Sequence, residues 1–175
     1  LWELEEQYRP SLVARFHERY GVPVSSTGEC LYRLVEQRAE EWLAPYLDRF
    51  QVLDESSPLY GVPDEAVRAE FKELVAESAA YTVFSKCGIS TDMFDGSFGN
   101  ISSYKSLPLF MALGSCNVSV ARSILKEIYQ EIQNIKTERS KIYENTAPDG
   151  ILLPSGQGRD AVSPDSDIGR SRGRP

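Results

Sequence analysis

The chain has 175 residues, of which 41% are hydrophobic and 26% are charged, a balance typical of one soluble globular domain. Its formal net charge is −7, which argues against a domain whose main task is to grip nucleic-acid phosphates, because that task needs a basic surface that displaces counterions. A local basic patch stays compatible with this charge.

The cysteines and the first residues indicate a reducing, cytoplasmic location. Cys30, Cys87 and Cys116 are an odd number without a C-x-x-C pair, so they predict neither a disulfide framework nor a four-cysteine zinc site. The opening LWELEE is acidic where a signal peptide would be basic, and no run approaches the roughly 18 apolar residues of a membrane span. The chain has no initiator methionine, which suggests that it was cut from something longer.

The first two helices are predicted from apolar spacing and from residues that end helices. The first covers about residues 8 to 20, with Pro10 in its opening turn and Gly21 at its end. The second covers about residues 28 to 52 and is bent or split at Pro45, which removes a helix hydrogen bond. Its apolar face consists of Leu31, Leu34, Val35, Trp42, Leu43, Tyr46, Leu47 and Phe50.

A third helix is predicted from Asp64, as its N-cap, to Lys86, with Gly88 as its stop. The apolar face of its first half places Glu73 well away from the core and Glu77 at the flank. Its second half, SAAYTVF, is apolar nearly all round, which is typical of a helix buried on several sides. Both carboxylates are therefore expected to be partly enclosed, and an enclosed pair needs a cation, a hydrogen-bond network or a raised pKa.

The last part of the predicted domain is a connector followed by a long helix. The connector ISTDMFDGSFGNISSYKS carries aromatic residues, which predict that it is packed down. The final helix covers about residues 117 to 143 and is preceded by a short helix at about 105 to 113. Its single apolar stripe fits a dimerising coiled-coil seam or the domain's own core, and the shortage of clean heptads favours the core. The stripe consists of Ala121, Ile124, Leu125, Ile128, Ile132, Ile135 and Ile142.

These patterns predict an all-α fold, a compact bundle of four to five helices over residues 1–144. Between the second and third helices, at about 52 to 62, the pattern leaves room for small strands. Residues 145–175 are rich in Pro, Gly, Ser, Asp and Arg and predict a disordered linker or tail. Nucleic-acid contact through Arg170, Arg172 and Arg174 is a second interpretation of this tail, but aspartates before and among these arginines favour a solvated linker.

Several short motifs in order give a resemblance over about residues 70 to 132. ELVAESAAYTVFSKCGIST, then SFGNISSYKS and then a long helix resemble the C-terminal part of the zincin-type domain of ArdC-like antirestriction proteins and LtrC-like plasmid and transposon proteins. In that family a separate helix bears H-E-x-x-H. The resemblance implies that Glu73 would be a third zinc ligand and Glu77 would orient a ligand.

The histidines that this chemistry needs are missing. Two imidazoles one turn apart and a glutamate beside the first are required to bind zinc and activate its water. The sequence contains one histidine, His17, with no second histidine one turn on. His17 is therefore predicted to be an ordinary surface or half-buried residue, and the chain is not expected to be a zincin peptidase.

Most of the chain, from LWELEE to KTERS, resembles the N-terminal region of large polyvalent proteins of integrative elements. Those proteins carry helicase and DNA methyltransferase domains downstream of this region. This resemblance implies a degenerate, non-catalytic accessory domain that contacts other domains of the same large protein and no membrane. The alternatives are a residual zinc site or zincin completed by a missing upstream segment, and a module that contacts single-stranded DNA. Neither a cysteine nucleophile nor a phosphate loop is indicated, so we predict no enzyme activity.

Overall fold

The computed structural model describes residues 4–22, 25–48, 57–94 and 101–146. Within these ranges the chain forms five α-helices and no strand, which confirms the predicted all-α class. The helices are α1 (Arg9–Tyr20), α2 (Thr27–Trp42), α3 (Ala44–Leu47), α4 (Asp64–Cys87) and α5 (Leu107–Thr146). Short 3-10 turns precede α1 at Glu6–Tyr8 and α5 at Ile101–Tyr104.

The first helix, α1, begins and ends as predicted. A proline lies in its first turn, where a missing N–H leaves no helix hydrogen bond unmade. Gly21 adopts the left-handed conformation at φ 65°, and its N–H donates to the carbonyl of His17 at 2.8 Å. Because glycine has no Cβ, it ends the helix in this conformation without strain.

The predicted split of the second helix is confirmed. The Ser26 hydroxyl caps α2 by accepting a hydrogen bond from the N–H of Glu29 at 3.1 Å. This helix ends at Trp42, and Pro45 lies in the first turn of α3. The predicted continuation to residue 52 falls largely outside the described residues, and residues 57–62 form turns.

The start of α4 corrects one prediction. Asp64 is the first helical residue, and Pro63 is the cap, with no side-chain hydrogen bond there. The Pro63 carbonyl accepts from the N–H groups of Ala66 and Val67, so the backbone closes this end. Asp64 still favours the helix because a negative charge in the first turn complements the helix dipole. The predicted stop is confirmed, since Gly88 ends α4 at φ 64°.

One continuous helix of 40 residues replaces the two predicted between 105 and 143. Gly114 lies inside it and costs the helix about 1 kcal/mol relative to alanine. Its neighbours Leu113 and Cys116 are buried, and their packing holds this stretch in the helix. α5 begins at Leu107 and extends to Thr146, two residues past the predicted domain boundary. The predicted tail from residue 147 onward lies outside the described residues.

The core forms where α2, α4 and α5 meet, and α1 packs on α2 and α5. Most of the α5 stripe faces this core, which confirms the core interpretation for the residues that the structure describes. Ile142 is the exception, with 63% of its surface exposed. The described aromatic residues of the connector pack inward as predicted, because Phe94 contacts the Phe84 ring edge to face and Tyr104 is fully buried. Met93 of the same connector is exposed.

Part of α5 is long and apolar enough to cross a membrane by length and composition alone. The sequence-based expectation of no such segment therefore needs correction, because α5 interrupts its apolar residues with only a few charges. The buried members of this segment pack against α4 and α2. Core helices of small soluble-like helical domains pass the same test, so the segment is weak evidence for a membrane.

Candidate functional site

The two glutamates singled out from the sequence have different surroundings on α4. Glu73 is exposed to solvent, which corrects the expectation that both carboxylates are partly enclosed, and Glu77 is half-buried. Both lie near Tyr32 of α2. Burial raises the pKa of the Tyr32 phenol, and the negative charges of Glu36, Glu77 and Glu73 raise it further. This corner of the α2–α4 interface is therefore acidic.

The zinc ligand set implied by the resemblance is not assembled from the described residues. Within them, no three histidine, cysteine, aspartate or glutamate side chains cluster as metal ligands do. His17 lies on α1, and its Nδ1 is 2.8 Å from the carbonyl oxygen of Val22. It is exposed, as predicted for an ordinary surface histidine. The residues present do not fit a zincin centre, and metal binding by Glu73 stays a prediction.

A carboxylate that sequence reasoning missed lies one turn before Glu73. Glu70 is partly buried, and its Oε1 has no hydrogen-bond partner among the described residues. The neighbouring Tyr104 packs against Phe71, with ring centroids 6.0 Å apart. Burial raises the pKa of the Tyr104 phenol strongly, and the charge of Glu70 adds to this. Glu70 is therefore a partly buried carboxylate of this helix that the sequence did not single out, beside the half-buried Glu77.

Ion pairs join α1 to α5 around Glu131, whose side chain is 3% exposed. One of its oxygens accepts from Arg15 Nη1 at 3.0 Å, and the other accepts from Arg19 Nη2. Asn134 adds a longer contact of 3.4 Å from the next turn of α5. Because both oxygens accept hydrogen bonds from arginines, these bonds offset the free-energy cost of removing the Glu131 charge from water.

A second carboxylate, Glu127, extends these ion pairs to α2. It accepts from Arg38 Nη2 at 3.1 Å, from Arg19 Nη1 at 3.4 Å and from the Tyr20 hydroxyl. The three arginines thus come from two helices, and both glutamates come from α5. We call this set, Arg15, Arg19, Arg38, Glu127 and Glu131, the ion-pair network.

The two carboxylates of the network have pKa values shifted in opposite directions. Burial alone would raise the pKa of Glu131, but hydrogen bonds from Arg19, Arg15 and Asn134 outweigh it and the pKa is lowered. Burial raises the pKa of Glu127, and the hydrogen bond from Arg19 only partly opposes this. Glu131 is therefore the group whose ionised form the fold favours.

The spacing of charged residues in the sequence is a signal from which the ion-pair network could have been predicted. Arg15 and Arg19 are four residues apart on α1, as are Glu127 and Glu131 on α5. Like charges at this spacing repel within an isolated helix. Two such pairs of opposite sign indicate that the helices face each other.

Beside the ion-pair network, residues of α1, α2 and α5 line an open cleft with a volume of about 560 Å³. We call it the basic cleft; the residues that characterise it are Arg19, Arg38, Trp42, Arg122 and Lys126. Glu127 lies in its wall. Among the described residues, Arg122 and Lys126 form no ion pair, whereas Arg19 and Arg38 are held by the network.

The N-terminal half of α5 exposes apolar side chains on one side. We call Leu107, Phe110, Met111 and Val118 the α5 strip; their exposed fractions run from 53% to 70%. Leu107, Met111 and Val118 recur at four- and seven-residue spacing, so they share one helix face. Sequence reasoning missed the strip because it assigned this stretch partly to a separate short helix.

The strip leads into an apolar groove between α4 and α5 with a volume of about 470 Å³. Val118 belongs to both, and Ala121, Leu125 and Tyr129 continue the groove along α5. Arg122 and Lys126 line this groove as well as the basic cleft. Thr82 of α4 forms its opposite side. Exposed apolar side chains beside an apolar groove are typical of a site that another molecule or domain covers.

The three arginines proposed for nucleic-acid contact, Arg170, Arg172 and Arg174, lie outside the described residues. The centre of the aromatic connector, residues 95–100, lies outside them as well. The described aromatic residues at its two ends, Phe94 and Tyr104, pack inward.

No family model, curated protein or solved structure matches the chain.

Proposed function

We propose that the chain is a non-catalytic accessory domain of a large DNA-processing protein from an integrative or conjugative mobile element. In this role it contacts other domains of the same protein in the cytoplasm, while helicase or methyltransferase domains elsewhere perform the chemistry. The proposal rests on the sequence resemblance over most of the chain and on the absence of H-E-x-x-H from it.

The observation that carries the interaction role is the α5 strip. Val118 is 55% exposed and Leu107 is 70% exposed, although both lie on the helix that forms the centre of the bundle. Leaving such side chains in water forgoes roughly 25 cal/mol for each Å² of apolar surface. A partner domain that covers the strip and the adjoining groove would recover this free energy.

Coexpression of the chain with the rest of its protein tests this role. We expect the two polypeptides to form a stable complex on size-exclusion chromatography. Met111→Glu with Val118→Glu should abolish the complex, because both changes place charges in the contact. The matched control is Tyr60→Glu with Met93→Glu, which adds the same charges at exposed residues outside the strip. Failure to form a complex, or equal loss with the control pair, would contradict the proposed surface.

Metal analysis of the purified chain tests the non-catalytic part of the proposal. We expect no stoichiometric zinc, because the chain lacks the histidine pair that supplies two of the three protein ligands. Stoichiometric zinc that disappears in Glu73→Ala would instead support a residual metal site. The exposed Glu65 is a suitable control position, since Glu65→Ala removes a carboxylate from the first turn of the same helix.

A further inference from the structure

We propose that the basic cleft binds a phosphorylated nucleoside, with its phosphates at Arg122 and Lys126 and its base on the Trp42 ring. This inference goes beyond the accessory role and does not depend on it. The phosphates and the flat base are shared by a free nucleotide and by a nucleotide within a single strand, and the experiment below separates these two sources.

The charges of the cleft select an anion. Four cationic side chains contribute to its lining, against one carboxylate, Glu127, among the described residues that line it. Glu127 is already engaged by Arg19, Arg38 and the Tyr20 hydroxyl, which fixes those arginines at the wall. Arg122 and Lys126 are one turn apart on α5, are exposed and form no ion pair among the described residues. They are therefore available to a ligand's phosphate.

The concentration of positive charge contrasts with the rest of the molecule. The whole chain carries a formal net charge of −7, so a group of four cationic side chains departs from its average charge. Arg122 and Lys126 lie beside Arg19 and Arg38 in one concavity. A short ligand bound within this concavity suits the chain better than a long polyanion, which the net negative charge disfavours.

Trp42 supplies the recognition of a flat ring. It is the last residue of α2, lines the cleft, and has 38% of its surface exposed. An exposed indole beside cations is the combination that binds a nucleobase, because the base stacks while its phosphate is neutralised. The cleft volume of about 560 Å³ is within the range of small-molecule sites.

The test is a calorimetric titration of the intact chain with ATP, with inorganic triphosphate and with a ten-nucleotide oligothymidylate at low and at physiological salt. We expect ATP to bind and inorganic triphosphate to bind more weakly, because it lacks the base. Arg122→Ala with Lys126→Ala should weaken ATP binding by about tenfold or more. Both side chains are exposed, so these changes leave the fold intact.

Two variants complete the test. Trp42→Ala should weaken ATP but leave inorganic triphosphate unchanged, which separates stacking from charge. Lys105→Ala with Lys141→Ala is the matched control, since it removes two exposed lysines outside the cleft and should leave ATP binding unchanged.

The arms of the titration also decide the source of the nucleotide. Tighter binding of the oligothymidylate than of ATP, still dependent on Arg122 and Lys126, would assign the cleft to a single strand. Tighter binding of ATP would assign it to a free nucleotide. The proposal is overturned if no probe binds at millimolar concentration, or if the control pair weakens binding as much as the cleft pair does.

Discussion

Glu70, Glu73 and Glu77 succeed one another along α4, each about one turn from the next, and only Glu70 has a buried oxygen without a hydrogen-bond partner among the described residues. The sequence directed attention to Glu73 and Glu77 because their spacing resembles that of a metal-binding helix. It could not identify Glu70, since the residue whose pKa its charge raises, Tyr104, lies more than thirty residues further along the chain. Short-range patterns locate a helix face, whereas contacts between distant segments determine which carboxylate loses its water.

Replacing this carboxylate by an amide is expected to stabilise the chain. Glu70→Gln should raise the free energy of unfolding by about 1 kcal/mol, because it removes a partly buried charge without a hydrogen bond to one of its oxygens. Urea denaturation at pH 7 measures the change. Glu73→Gln is the control on the same helix and should change the value by less than about 0.5 kcal/mol, since Glu73 is exposed. A lower stability for Glu70→Gln would contradict the assignment.

At the scale of the helices, local sequence signals correctly predicted where three of the four longer helices end. Gly21, Pro45 and Gly88 predicted the breaks after α1, within the second helix and after α4. Glycine readily adopts the left-handed conformation that ends a helix, and proline removes a helix hydrogen bond, so both signals act regardless of tertiary contacts. The continuous α5 was not predicted. Gly114 weakens the local helical signal, and only the burial of neighbours such as Cys116 holds that stretch in the helix.

The attachment of α1 to α5 is expected to depend on pH through Glu131. Its folded-state pKa is lowered, so its ionisation stabilises the fold above the unfolded value of about 4.3, and this contribution is lost as the pH falls through the folded pKa. Glu131→Gln should cost about 2 kcal/mol at pH 7, because it weakens the charge-assisted hydrogen bonds from Arg15 and Arg19. It should also flatten the fall in stability between pH 5 and pH 3, as measured by urea denaturation.

Glu65→Gln is the control for this measurement, because Glu65 is exposed and lies in the first turn of α4, away from the ion-pair network. It should keep the pH dependence of the unchanged chain. An identical pH profile for Glu131→Gln and the unchanged chain would show that the network contributes no ionisation-linked stability.

At the scale of the whole molecule, three cysteines report on the integrity of the core. Cys30, Cys87 and Cys116 are buried in the common cluster of α2, α4 and α5. Burial raises the pKa of Cys30 and Cys87 to about 11 and that of Cys116 to about 12. The sequence predicted them correctly as small apolar residues, since no partner spacing suggested another role.

These thiols are expected not to react with thiol reagents in the native chain. At pH 7.5 a maleimide should label none of them within the time in which it labels all three in urea, because the thiolate is the reactive form and burial excludes the reagent. Mass spectrometry counts the labels. Rapid labelling of any one thiol without urea would show that the core opens there.

If the native thiols do not react with maleimide, one introduced cysteine can be labelled selectively. Such a cysteine tests the central claim, that another domain of the same protein covers the α5 strip. We expect Met111→Cys to react rapidly with maleimide in the isolated chain, and at least about tenfold more slowly once the rest of the protein is bound. Met93→Cys, exposed away from the strip, should react at the same rate in both states. If Met111→Cys reacts equally fast in the complex, the strip is not the contact surface and the account is contradicted.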